Sequence, residues 1–278
     1  MSQEMRIEKD SLGEVRIPAA AYWGTTTQRA LEVYSISGLK HPAKFIEAFL
    51  MLKKAAALAN RESGALSPEI AGAILRAADE ILAGALRDQF VVDVFQMGAG
   101  TSFHMNVNEV LANRANELLG GRIGANSPVT ANDHVNFGQS TNDAFPTAMR
   151  LAALLALRDQ LHRPLENFEA ALAEKGREFD SILKSARTHL QDAVPIRLGQ
   201  EFAAYATAIH RCHEAIHAAR ASLCELGIGG SAAGTGLNTA PGYRERVVEH
   251  LREISGVRDL YPAADMREAM QSQRPMNE

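Results

Sequence analysis

The chain has little cysteine, no long apolar run and no basic tract. Only Cys212 and Cys224 are present. They stand 12 positions apart on what reads as one helix. That is roughly 18 Å of rise, too far for a bridge within it. A disulfide scaffold is therefore excluded, and a reducing, cytoplasmic compartment is the expectation. No stretch reaches membrane-spanning length, and Met1-Ser2-Gln3-Glu4-Met5-Arg6 lacks the apolar core of a signal peptide. Basic residues number 29 against 33 acidic, so nothing favours a nucleic-acid partner. Strand signals are few. What remains is 278 residues that are 46% hydrophobic, enough to bury the core of one large domain or two.

Helical periodicity fills most of that length. Residues 5–40 are turn-rich, and loops with short extended pieces are expected there. Phe45, Phe49, Leu52, Ala56 and Ala59 then recur at three- and four-residue steps, the stripe of an amphipathic helix. Ser67-Pro68-Glu69 opens a second, with Ile70, Ile74, Ala77 and Ile81 facing inward. A third is expected over 106–119, ended by Gly120-Gly121, with 122–139 as loop. Long helices follow over 148–172 and 197–225, then a Gly-rich stretch, 227–236, and a short helix near 243–255. A helix-like pattern begins again near Asp265. The expectation is a mainly α protein: a small mixed N-terminal domain, 1–139, followed by part of a long-helix bundle, 140–278.

Three polar islands interrupt the helices: Gly98-Ala99-Gly100-Thr101-Ser102, Gly138-Gln139-Ser140-Thr141-Asn142-Asp143 and Arg187-Thr188-His189-Leu190-Gln191-Asp192. One Ser or Thr suffices to cap a helix, so four capping-type residues in a row at 140–143 supply spare donors. With the free N–H groups of a helix start, these suit an anion such as a carboxylate. The Gly98 island lacks the Gly-Lys-Ser/Thr ending and the βαβ setting of a nucleotide loop. His213 and His217, at i and i+4 beside His210 and Cys212, are the one metal-like pattern, but no third ligand is identifiable and no metal is expected.

The islands also carry a resemblance. With Arg6-Ile7-Glu8-Lys9-Asp10, Tyr22-Trp23-Gly24, Gln28-Arg29-Ala30 and Ile36-Ser37-Gly38, they stand in family order. So do Met105-Asn106-Val107-Asn108-Glu109-Val110, Thr188 to Pro195, Leu198-Gly199-Gln200-Glu201 and Gly234-Thr235-Gly236-Leu237-Asn238. The chain resembles the aspartase/fumarase superfamily nearly end to end. The resemblance implies a homotetramer whose sites are shared between subunits, a small C4 dicarboxylate as partner, and no cofactor. It implies Thr101, Ser102, Ser140, Thr141, Asn142, His104 and Arg29 as substrate-binding residues. Thr188 and His189 are the implied catalytic pair, brought from a second subunit. The implied reaction is reversible elimination to fumarate. Gly98–Ser102 and Leu190–Pro195 look more like the ammonia-lyases, so L-aspartate is the favoured substrate. Malate, as in a class II fumarase, and a non-catalytic homologue are the alternatives.

Two departures stand out. His104 occupies a position where the family usually has Asn. The family's Gly-Ser-Ser, Met-Pro and Lys-x-Asn loop, with its proposed base, does not occur in these 278 residues. The sequence thus reads as an N-terminal portion, and little lyase activity and impaired tetramer assembly are expected of it alone.

Overall fold

A computed structural model describes residues 4–277, so the first three residues of the expected non-signal N-terminus, and Glu278, lie outside the described residues. The elements in chain order are strands β1 (Met5–Asp10) and β2 (Gly13–Pro18), then helices α1 (Thr25–Val33), α2 (Ala43–Glu62), α3 (Pro68–Leu82), α4 (Thr101–Leu118) and α5 (Thr141–Ala156). Helix α6 (His162–Glu178), strands β3 (Leu183–Thr188) and β4 (Gln191–Arg197), and helix α7 (Leu198–Leu223) follow. The chain closes with β5 (Glu225–Leu226), α8 (Tyr243–Ser255), β6 (Tyr261–Pro262), α9 (Met266–Gln271) and α10 (Arg274–Asn277). The protein is mainly α, as expected. No helix among the described residues is long and apolar enough to cross a membrane.

Contacts group the chain into two compact units. The first runs to Ala153 and resumes over Leu223–Asn277, and the second is Leu154–Ser222. This differs from the expected division at 139/140. The Gly-rich stretch and α8 return to the first unit, where α8 packs on α2.

In the first unit, α2 also packs on α3, and α3 on α4. The expected stripes are buried at Phe45, Phe49, Leu52, Ala56 and Ala59 on α2 and at Ile74, Ala77 and Ile81 on α3, where Ile70 is half-buried. Each fully buried Leu, Ile or Phe contributes about 1.5–3 kcal/mol relative to exposure. Ser67 caps α3 by accepting from the Ile70 N–H at 3.2 Å. Helix α4 starts at Thr101, five residues before expectation. It is enclosed nearly all round, with Asn106, Asn108, Asn113 and Asn116 buried beside Val107 and Leu111, so it shows no one-sided stripe.

Buried side chains also hold the N-terminal motifs. Arg6 donates to the carbonyls of Pro18, Ala19, Ala21 and Trp23. The Glu109 carboxylate accepts from the backbone N–H groups of Gly24, Thr26 and Thr27 at the start of α1. Asp93 does the same for Ser37, Gly38 and Phe95. Burial pushes Asp93 up, but these N–H groups and the Ser37 hydroxyl outweigh it and hold the carboxyl well below the usual range.

The second unit has little interior. The expected helix over 148–172 continues through a π-helical turn at Leu157–Leu161 into α6. Helices α6 and α7 approach closely where Gly176 meets Gly199; a Cβ on Gly199 would stand 2.2 Å from the Gly176 carbonyl oxygen. Between them lies an antiparallel β3–β4 hairpin that periodicity does not show. Phe168, Leu183, Val194 and Tyr205 are exposed in this unit. Cys212, exposed, and Cys224, buried, form no disulfide.

Candidate active site

The start of α5 gathers two of the three islands. Ser140 is the residue before its first turn, and its hydroxyl accepts from the Asn142 N–H at 3.2 Å. Asp143 reaches back to accept from the Ser140 N–H at 2.9 Å, which completes a reciprocal cap. The other Asp143 oxygen accepts from Gly229 N–H at 3.1 Å and Ser231 N–H at 2.8 Å. Asn142 donates to the Ala232 carbonyl at 2.8 Å. The Gly-rich stretch is therefore a wrap around this helix start. Asp143 is fully enclosed, and burial pushes its carboxyl up to about 6 against the pull of those N–H groups and of Lys53. Pro146 falls in the second turn of α5.

A cavity of about 770 Å³ opens here, lined by Gln96, Gly98, Gly100, Thr141, Asn142 and Phe145 among others. Gly100 has φ +84, and a Cβ there would stand 2.0 Å from the Phe145 ring. Only glycine lets the turn before Thr101 come so close. Thr141 and Asn142 thus face the cavity, together with the backbone that leads into Thr101. Thr101 is half-buried at the first position of α4. Ser102 is fully buried, and its hydroxyl has no hydrogen-bond partner among the described residues.

His104 is also enclosed, at 1% exposure, and does not line the cavity. Its Nδ1 lies 2.8 Å from Thr141 Oγ1 and its Nε2 lies 2.7 Å from Lys53 Nζ. Lys53 has no solvent exposure and also donates to Gln139 Oε1 at 2.8 Å and Asn136 Oδ1 at 3.1 Å. Burial pushes the Lys53 ammonium well down while the Asp143 charge opposes it; burial and the Lys53 charge push His104 well down, so the imidazole is neutral. Lys53 carries no motif of its own in the sequence. Its register was the available signal, since 53 falls on the stripe of Phe49, Ala56 and Asn60, whereas Lys54 pairs with Asp79.

The remaining residues are placed elsewhere. Thr188 ends β3, and His189-Leu190 form a two-residue turn with φ +47 and +65. Two positive φ values are the signature of a type I′ hairpin, a tight exposed tip in the second unit. Arg29 is paired bidentately with Asp10 at 2.8 Å through two nitrogens and lines a separate cavity of about 730 Å³ in the first unit. In the second unit His162, on α6, approaches His213 Nε2 at 2.9 Å. Among the described residues no three His, Cys, Asp or Glu side chains gather as ligands for a metal.

Helix starts furnished with hydroxyl and amide donors around such a cavity are an arrangement suited to a small anionic molecule. A family model described as lyase matches residues 13–274. The class II fumarate hydratase of Halobacterium salinarum is 52% identical over 257 residues, covering 92% of this chain and 54% of the relative. The aspartate ammonia-lyase of Bacillus subtilis is 49% identical over 255 residues, with 92% and 54% covered. Among solved structures, a fumarate lyase:delta crystallin from Brucella melitensis, bound to cobalt, superposes with TM-score 0.93 at 44% identity, covering 98% of this chain and 59% of that one. The chain belongs to the lyase family of fumarases and aspartases. It spans about half the length of the curated relatives it matches.

Proposed function

We propose that this chain provides the carboxylate-binding part of a C4-dicarboxylate lyase that forms fumarate, assembled as a cytoplasmic homotetramer. The observation that carries the reading is the donor-rich cavity at the start of α5, where Thr141 and Asn142 face the Gly98–Gly100 turn. In such a reaction a base removes a proton from the carbon next to one carboxylate. Ammonia or water then leaves from the adjacent carbon, and the double bond of fumarate forms. Negative charge builds on the carboxylate beside the deprotonated carbon, and fixed donors at that place lower the barrier. Thr101, Ser102, Ser140, Thr141 and Asn142 belong to this donor set, with Thr188 and His189 delivered to it from another copy. Arg29, expected as a substrate-binding residue, is paired with Asp10 and lines a separate cavity, so it is not counted in this donor set.

L-aspartate is the substrate favoured by the Gly98–Ser102 and Leu190–Pro195 motifs. L-malate is the second reading, favoured by the 52% identity to a fumarate hydratase. Following the ultraviolet absorbance of fumarate, with each substrate supplied separately, tests both. Fumarate from aspartate alone supports the first reading and from malate alone the second. The separate chain is expected to turn over far more slowly than a full-length relative. A rate near that of the relative contradicts the view that this chain is only part of the catalytic machinery.

A further inference from the structure

We propose that Lys53 and His104 form a buried relay that fixes the Thr141 hydroxyl as a hydrogen-bond donor into the cavity. Both are positioning residues, since neither lines the cavity, and the inference rests on the dicarboxylate reading for what Thr141 donates to.

The argument is a count of donors and acceptors. The Asn136 amide nitrogen donates to the Gln139 carbonyl at 3.3 Å. The Gln139 amide nitrogen donates to the carbonyls of Val135 at 3.1 Å and Phe137 at 3.3 Å. These bonds settle which end of each amide faces Lys53: both present oxygen, an acceptor only. The Lys53 ammonium has three N–H bonds and three partners, two amide oxygens and His104 Nε2. With the ammonium charged, all three N–H bonds are used and Nε2 offers its lone pair. A neutral imidazole then carries its proton on Nδ1, the nitrogen 2.8 Å from Thr141 Oγ1. Thr141 accepts that proton's hydrogen bond. Its own hydrogen is left to turn towards the cavity, where it meets a carboxylate as a donor.

The opposite arrangement is also self-consistent, which makes the choice consequential. An uncharged lysine would donate twice to the amide oxygens and accept from a His104 Nε2–H. Nδ1 would then accept from Thr141, and the threonine would present only lone pairs to an incoming carboxylate. Both arrangements satisfy every buried group, but only the charged lysine yields a donor. Burial pushes the Lys53 charge down and the buried carboxylate of Asp143 opposes it. The relay requires the charged form, and the tautomer of His104 reads which form is present.

Nitrogen NMR of the whole chain labelled in histidine tests the relay without reference to function. His104 is assigned by loss of its signals in His104→Asn. The relay predicts a protonated, pyrrole-type Nδ1 and an unprotonated, pyridine-type Nε2; the reverse tautomer overturns it. Calorimetric titration with succinate, a non-reacting dicarboxylate, reads the consequence. Thr141→Val and His104→Leu should each weaken succinate by about ten- to a hundredfold, and the double variant hardly more than either. His104→Asn should stay within about threefold, because an amide can accept from Lys53 and donate to Thr141. Equal losses for Asn and Leu at 104, with full additivity in the double variant, contradict the relay and leave His104 a packing residue. If the unsubstituted chain does not bind succinate, the dicarboxylate reading fails, and the tautomer alone then decides the relay.

Discussion

The two places that carry the site residues are built on opposite principles. At the start of α5 the polar groups are enclosed and committed: Asp143 holds three backbone N–H groups, and Lys53 holds three acceptors. At the β3–β4 tip Thr188 and His189 are exposed, and Leu190 is 90% exposed with a positive φ. The first place is a polar surface already organised by its own unit, and we propose it as the carboxylate site. The second is a presented loop whose residues gain a fixed environment only from something that packs against them. Preorganised donors are worth most where charge develops, so the enclosed place is the one to perturb first.

The largest expected effect is at Asp143. Asp143→Ala strands the N–H groups of Ser140, Gly229 and Ser231 and leaves Lys53 without its carboxylate. Urea denaturation should show a loss of about 3–5 kcal/mol. His189→Ala should change stability by less than about 0.5 kcal/mol. Comparable losses at the two positions would erase the contrast.

Gly100→Ala comes next. Its φ of +84 and the Phe145 ring 2.0 Å from a Cβ imply about 2–4 kcal/mol of strain and overpacking. The same melt, together with succinate affinity, measures whether the cavity wall shifts with it.

The pH response should also belong to the enclosed region. His41 lies tilted against Phe103 with ring centroids 3.9 Å apart, and burial pushes it down to about 4 from 6.5. Asp93 pulls it up and Lys40 down, by smaller amounts. A depressed folded-state value means that the unfolded chain binds the extra proton first. This contribution is therefore complete above about pH 6.5 and is lost as pH falls towards about 4. Denaturation midpoints across that window should fall in the native chain and fall less in His41→Phe. An unchanged slope contradicts the assignment.

The smallest effect sharpens the exposed side. Leu190→Gly relieves a branched residue at φ +65 and should be neutral or stabilising by up to about 1 kcal/mol. Destabilisation would mean that Leu190 is already packed in solution.

The same contrast governs what the sequence made legible. The stripes of α2 and α3 declare themselves because each buries one face. The first turn of α4 is hidden because Thr101, Ser102 and His104 are polar although Ser102 and His104 are buried, so no apolar periodicity marks it. The hairpin is hidden because its strands are exposed, Pro195 sits in one of them, and its turn contains no glycine. The α5 island was legible as a donor set. Its support was not, since Lys53 and the loop carrying Gly229 are brought there only by tertiary packing.

The most direct test of the account follows backbone amide shifts of the labelled chain on addition of succinate. The account predicts that shifts concentrate at Gly98–Thr101 and at Ser140–Asn142. A chain whose shifts instead cluster around Arg29 and Asp10, or which shows none at the starts of α4 and α5, would contradict it.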